Sequence, residues 1–272
     1  MIDLHVHTKF DEDAVGEVEE YCKLAASLGY KELGFIKHTI VIDRFSSTVD
    51  PKILESFFSE VERHRERFGV NLRIGAEMDY FEDKEEEIEK LKENFKFDYI
   101  LCAIHFLHGY VISDPMNYEF KECYRNMSYW EACKEYFLKL KKAVESNLFD
   151  GVAHFDYIRR TASIFYKKKL NLNENLEVKG IVEEILEVLK KKDLVVEINT
   201  SALRDGFDEF YPNNQILNMC REKGIKITIG SDSHSPKHFN TGIKEALNLL
   251  ENLGFRKVYS FSGGVVKSTE IL

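Results

Sequence analysis

Short apolar runs recur along the chain, and each ends on a polar side chain. Asp3-Leu4-His5-Val6-His7 is the first, Phe35-Ile36-Lys37-His38 the second and Ile74-Gly75-Ala76-Glu77 the third. Leu101-Cys102-Ala103-Ile104-His105, Val152-Ala153-His154, Glu197-Ile198-Asn199 and Ile229-Gly230-Ser231-Asp232-Ser233-His234 complete the series. Runs this short predict strands. The segments between them carry helical spacing. Val15, Val18, Tyr21, Cys22 and Ala25 share one face of a predicted helix closed by Gly29. Asp50-Pro51 opens another, with proline in the first turn, where its missing N–H costs nothing. Its apolar face is Ile53, Leu54, Phe57, Phe58 and Val61. Glu85 to Glu93 predicts a highly charged helix, and Ser128-Tyr129-Trp130-Glu131 is a capping box ahead of Cys133, Phe137, Leu140 and Val144. Further helices are predicted over Val178 to Leu189, over Ile216 to Cys220 before Gly224, and over Ile243 to Leu253 before Gly254. Val258 to Phe261 reads as one more strand, closing the sheet or lying at its edge.

Strands alternating with helices predict an α/β fold with a parallel sheet. Barrel strands direct their C-terminal ends to one mouth. Polar groups at successive strand ends would therefore meet in space, although they are spread over most of the chain. No repeat, low-complexity stretch or Pro/Gly linker divides the sequence, so a single domain over 1–272 is expected. Three connections are long for barrel loops, Thr39–Val49, Phe106–Met127 and Phe155–Asn175. Each follows a strand end and would rim the mouth, where long loops are often functional. Tyr110, Tyr118, Tyr124, Arg125, Arg159 and Arg160 in these loops either wall a substrate or pack the loops together.

Composition narrows the function. The chain has 272 residues and a formal net charge of −9, which disfavours nonspecific binding of polyanions such as nucleic acid. A small phosphorylated substrate stays open, because bound cations can supply local positive charge. The five cysteines are odd in number and form no C-x-x-C pair, as expected of reduced thiols, with Cys102 in the core. No signal pattern precedes His5 and no apolar stretch is long enough to span a membrane. A cytoplasmic protein without a membrane partner is expected; oligomeric state is not legible.

The polar strand ends suit metal ions. His5 and His7, two apart on a strand, face the same side. Gly230-Ser231-Asp232-Ser233-His234 presents a carboxylate and an imidazole at a glycine-led strand end. Glu77 ends an apolar stretch, where a carboxylate needs a partner or a cation to offset desolvation; it can bridge two metals or form a salt bridge with a base such as Arg73. His38, His105 and His154 each stand alone in sequence but occupy equivalent strand-end positions. Asp13 falls in the loop above the first strand, beside Asp11 and Glu12. His64, in a charged helix, is expected to be solvated. His108 and His238 are placed around the ligands or in the substrate pocket.

This residue set resembles the PHP family, named for polymerase and histidinol phosphatase, from Asp3-Leu4-His5-Val6-His7-Thr8 to Gly230-Ser231-Asp232-Ser233-His234. The resemblance implies a distorted, TIM-like barrel of seven βα units. It implies three divalent metal ions, zinc, iron or manganese. One would take His5, His7, Glu77 and Asp232; a second would share Glu77 and take His105 and His154; a third would take Asp13, His38 and His234. The family's common T-D-H motif reads Ile36-Lys37-His38 here, with lysine in place of the acid. Two stretches, His154 to Arg160 and Glu197 to Arg204, resemble the histidinol-phosphate phosphatase branch and place arginines near the cluster. That implies a role in histidine biosynthesis, the cleavage of L-histidinol phosphate to L-histidinol and phosphate.

Phosphate monoesters need accelerations of up to ~10²¹. Two metals about 3.5–4 Å apart can activate a bridging water and stabilise both attacking and leaving oxygens. The expectation is that a hydroxide held at Glu77 attacks phosphorus. Arginine would grip the other phosphoryl oxygens through its fork, with Arg204 first, then Arg159 and Arg160. Asp232, His234 or a bound water would protonate the leaving oxygen. Alternatives stay open: another small phosphomonoester or a nucleotide as substrate, an amidohydrolase with one or two metals, or a metal-stabilised binding protein without catalysis.

Overall fold

The computed structural model describes residues 1–40 and 49–270. Most of the long Thr39–Val49 connection therefore lies outside the described residues. The strands, in chain order, are β1 (Ile2–Val6), β2 (Glu32–Ile40), β3 (Asn71–Asp79), β4 (Tyr99–Ala103), β5 (Phe106–Leu107), β6 (Tyr110–Val111), β7 (Gly151–Val152), β8 (Val195–Asn199), β9 (Lys226–Gly230), β10 (Lys257–Ser262) and β11 (Val265–Glu270). Seven of them form one sheet in the order β1-β2-β3-β4-β7-β8-β9, every neighbouring pair parallel. Helices lie between successive sheet strands. This is the expected distorted (βα)7 barrel.

The barrel is nearly closed, and its seam joins the two ends of the chain. No full ladder links β1 to β9. A short bridge does so instead: the His7 N–H donates to the Ser233 carbonyl at 2.9 Å, and the Ser233 N–H to the His5 carbonyl at 3.3 Å. Below it the buried Asp3 carboxylate accepts from the Ser231 N–H at 2.9 Å and the His5 N–H at 3.2 Å. Burial pushes the Asp3 carboxyl up to about 6, partly offset by its bonds to Ser231 and His5.

The barrel interior is filled by Leu4, Ile36, Tyr99, Leu101, Ala153, Val195 and Phe261. These residues face inward because side chains alternate along a strand. The Tyr99 ring lies across the interior and its hydroxyl donates to the Leu4 carbonyl at 2.6 Å. Gly75 makes room for it, since a Cβ there would sit 2.5 Å from the ring. The larger core lies between sheet and helices. Val18, Tyr21, Cys22 and Ala25 are buried there as expected, as are Leu54, Phe57 and Val61. The Ser128–Glu131 capping box forms with both hydrogen bonds, and Gly224, at φ 69°, ends its helix as expected. All five cysteines are buried thiols. Among the described residues no helix is long and apolar enough to cross a membrane.

Several expectations are corrected. Val15 lies before the first helix and is 60% exposed. His64 is buried, because its Nδ1 bonds the Glu60 carbonyl and its ring stacks on Phe68. The long loop after β4 holds the β5–β6 hairpin and a helix over Glu119–Tyr124, and the one after β7 holds a helix over Arg159–Tyr166. Val258 to Phe261 belongs to β10, which pairs antiparallel with β11 outside the barrel sheet. That hairpin covers the N-terminal end of the barrel: Phe261 stacks on Tyr99 at 4.8 Å, and Asp98 accepts from Gly263 and Gly264.

Phe261 is thus a plug for the barrel interior. Phe261→Ala should cost about 3–5 kcal/mol in urea unfolding. Val265→Ala, on the exposed side of the hairpin, should change it by no more than about 0.5 kcal/mol. Equal effects from the two would remove Phe261 from the role of plug.

Candidate metal centre

The parallel register sets the ligand atoms at one height. His38 on β2 lies directly beside Glu77 on β3. His5 and His7 come from β1 and its end, His105 follows β4, His154 follows β7, and Asp232 and His234 follow β9. All of these side chains meet at the C-terminal mouth. Glu77 stands in the middle and is buried. Its Oε2 faces His38 Nε2 at 2.9 Å, His5 Nε2 at 3.4 Å and His7 Nε2 at 3.5 Å. Its Oε1 faces His154 Nε2 at 2.6 Å and His105 Nε2 at 3.7 Å. Each carboxylate oxygen thus serves a different set of imidazoles. Burial alone would raise the Glu77 carboxyl, but His5, His38 and His105 hold it well below the usual carboxylate range.

Three groups of potential ligand atoms lie within 4.8 Å of one another: His5, His7 and Asp232; Glu77, His105 and His154; and His7, His38 and His234. The grouping differs in three places from the allocation that the resemblance implies, the first being that Glu77 joins only His105 and His154. His7 belongs to two groups. Asp13 belongs to none; it is mostly exposed and meets His234 Nε2 at 3.3 Å from outside. Asp232 also stands 3.7 Å from both His5 Nε2 and His7 Nε2.

The outward faces of the histidines explain why these groups suit cations. His5 Nδ1 lies 2.7 Å from Glu197 Oε1, His7 Nδ1 3.0 Å from Asp11 Oδ2, His38 Nδ1 3.2 Å from Asp11 Oδ1, and His105 Nδ1 3.1 Å from Asp79 Oδ2. A carboxylate only accepts, so each Nδ1 carries a proton, and each Nε2 faces inward, where it can give a lone pair to a cation or, when protonated, donate to a neighbour such as Glu77. His5 Nε2 and His7 Nε2 are only 3.0 Å apart. Without a cation against both, one of the two must carry a proton and donate to the other. The donor set, imidazoles with carboxylates and no thiolate, fits zinc, iron or manganese. It is unlike a closed cysteine-rich structural zinc site.

The orienting carboxylates are the functional residues that sequence reasoning missed. Asp79 accepts both the N–H and the Nδ1–H of His105. Glu197 also accepts from the His154 N–H at 3.0 Å and from the Asn199 amide at 2.8 Å. Alternation along β3 and β8 is the signal that could have found them, since Asp79 shares a face with Glu77 and Glu197 with Asn199. Strain marks the same places. Asp232 and His154 both adopt positive φ, 53° and 27°, which non-glycine residues seldom do.

The arginines divide by what they touch. Arg204 donates to the Ser231 and Asp232 carbonyls at 2.9 and 2.7 Å, bracing the turn that carries Asp232. Arg159 is buried, bonded to Asp156 and the Phe210 carbonyl and packed on Phe207 and Tyr211. Arg160 is half-buried, pairs with Asp205 at 3.0 Å and lies over Tyr157, whose ring stacks on His154 at 4.0 Å. His108 sits on the β5–β6 turn, 52% exposed and 3.9 Å from Glu135, apart from the three groups. His238 lies in the single turn Pro236–His238 beyond His234.

Comparison with known proteins places the family and the fold. The family model described as the PHP domain matches residues 3–201. A histidinol-phosphatase of Lactococcus lactis is 28% identical over 266 residues, covering 96% of this chain and 94% of that protein. A probable histidinol-phosphatase of Deinococcus radiodurans is 24% identical and covers 95% of both. In fold, the chain matches the crystal structure of L. lactis histidinol phosphate phosphatase, complexed with zinc, L-histidinol and phosphate. The TM-score is 0.81 at 23% identity, with 98% of each chain covered.

Gly230 is where the geometry is least tolerant. A Cβ there would lie 2.0 Å from Glu197 Oε1 and 2.4 Å from His5 Cβ. Gly230→Ala should therefore displace the Glu197–His5 hydrogen bond. Purified Gly230→Ala protein is expected to melt several degrees below wild type, the scale of about 1 kcal/mol or more in a domain of this size. An unchanged melting temperature would contradict this packing.

Proposed function

The chain belongs to the PHP domain family, and on that footing we propose that it is a metal-dependent phosphatase that hydrolyses L-histidinol phosphate to L-histidinol and phosphate. The observation that carries this reading is the convergence of three histidine-rich groups around the buried Glu77 carboxylate, in a chain similar over nearly its whole length to histidinol-phosphatases. The metal ligands are assigned as His5, His7, His38, Glu77, His105, His154, Asp232 and His234, with Asp13 at the rim. Zinc is favoured by its presence in the L. lactis crystal structure. Bound divalent ions would supply an activated water and charge stabilisation at phosphorus.

The chain's own residues divide the remaining work. Glu77 fixes the spacing of the groups on its two sides. Glu197, Asp11 and Asp79 hold the imidazoles in the tautomer that turns Nε2 inward. Asp232 and His234, 3.4 Å apart at the lip of the site, flank the leaving alkoxide, which takes its proton from a water held there. Arg160 is assigned to a phosphoryl oxygen. It is the half-buried arginine beside Tyr157 and His154, with Nε on Asp205 and Nη1 on the Tyr157 hydroxyl. Arg204 acts first on the backbone, holding Asp232 in its strained turn. Arg159 is committed to Asp156 and takes no part in substrate binding.

Phosphate release from L-histidinol phosphate should exceed that from nucleotides and other phosphomonoesters, vanish with a strong chelator and return with zinc or manganese. Equal turnover of the whole panel, or a preference for nucleotides, would remove the substrate assignment but keep the phosphatase. Arg160→Ala should raise KM about ten-fold, the scale of a lost charged hydrogen bond of roughly 1.5–3 kcal/mol. Arg204→Ala should mainly lower kcat, because it releases the turn that carries Asp232. The reverse pattern in steady-state kinetics would exchange the two roles.

A further inference from the structure

Position 37, next to the ligand candidate His38 on β2, is lysine. The Lys37 side chain is buried beside the metal groups. A buried ammonium must be partnered. Lys37 Nζ has two acceptors, Asp11 Oδ1 at 2.8 Å and the His38 carbonyl at 2.9 Å. Asp11 comes from the loop after β1 and is itself buried. Its Oδ1 also accepts from the His38 N–H at 3.1 Å and lies 3.2 Å from His38 Nδ1, while its Oδ2 takes the Nδ1–H of His7 at 3.0 Å. One carboxylate therefore orients two imidazoles, whose rings stack 4.2 Å apart at 16°. The two imidazoles come from different strands, and both belong to the group completed by His234.

We infer that Lys37 and Asp11 form a positioning couple that sets this chain's affinity for the metal ion of the His7, His38 and His234 group. The inference rests on reading the three groups as metal sites. The carboxylate has to serve His7 from one oxygen and His38 from the other, which fixes its plane. The His38 N–H also holds Oδ1. Lys37 adds a charged donor on Asp11 that is not an imidazole, and links Oδ1 to the His38 carbonyl of β2. The ammonium also balances the Asp11 charge, so this group holds its ion mainly through imidazole nitrogens. The other two groups include Asp232 or Glu77 as an anionic ligand atom. Losing the couple should therefore loosen the ion of the His7, His38 and His234 group most, reach the His5, His7 and Asp232 group through the shared His7, and spare the Glu77, His105 and His154 group.

The test is zinc binding by the full-length protein. Stoichiometry is read by elemental analysis after equilibration in zinc buffers, affinity by competition with a chromogenic chelator, and folding by circular dichroism melting of the metal-free protein. Wild type should bind three equivalents. Lys37→Met and Asp11→Asn should weaken one equivalent by roughly 10–100-fold, as removal of an outer-sphere partner does elsewhere, weaken a second, which shares His7, by less, and leave the third unchanged. Lys37→Arg, which keeps the charge and the donor, should restore much of the loss. Three equivalents at wild-type affinity in both Lys37→Met and Asp11→Asn would overturn the inference. So would a uniform weakening of all three, or a Lys37→Arg protein no better than Lys37→Met. Should Asp11→Asn fail to fold, the two Lys37 variants decide alone. Wild-type protein that binds no zinc, iron or manganese would instead overturn the metal reading itself.

Discussion

A carboxylate buried in the mouth of a barrel is the constraint on which this structure depends. Glu77 leaves water at a cost of several kcal/mol unless charge of the opposite sign or strong donors surround it. Its position on β3, in register with His38 and near the middle of the sheet order, lets its two oxygens address imidazoles from both sides. Those imidazoles are turned by their own outer partners to face Nε2 inward. Carboxylate oxygens and imidazoles packed this closely are stable together around cations, or with protons on the imidazoles. The geometry of the barrel mouth therefore suits bound metal ions.

Around that centre the chain spends its irregular features where the ligands need aiming. Asp232 and His154 hold strained backbone angles. Arg204 braces the turn of the first, and the Glu197 carboxylate holds the N–H of the second. Glu197 also orients His5 and occupies the space that Gly230 leaves open. The seam between the first and last sheet strands runs through the same residues, since the backbone of His5 and His7 bonds that of Ser233. Closing the barrel and joining His5 and His7 to Asp232 are thus the same set of contacts.

Much of this was legible from residue pattern. Short apolar runs ending in His5, His38, Glu77, His105, His154 and Asp232 locate strand ends, because parallel strands buried on both faces read as continuous apolar stretches. What stayed hidden depends on direction in space. Asp11 looked like one acid among Asp11, Glu12 and Asp13, and only the course of the loop separates the buried one from its exposed neighbours. Arg159 and Arg160 are adjacent, and a helix turn sends one into the core and the other toward the mouth. His64 looked solvated in a charged helix, but it sits on the buried side near that helix's end. Val258 to Phe261 has the composition of a sheet strand, yet the strand pairs in a hairpin that plugs the barrel from below.

The central claim is that Glu77 lies between metal ions. It is tested most directly by the anomalous difference map of a crystal grown with zinc and measured at the zinc absorption edge. The account predicts separate peaks on the two sides of the Glu77 carboxylate, one against Oε1 with His105 and His154 and one against Oε2 with His5 and His7. A map with no anomalous density within bonding distance of Glu77, from protein that is folded and zinc-saturated, would contradict it.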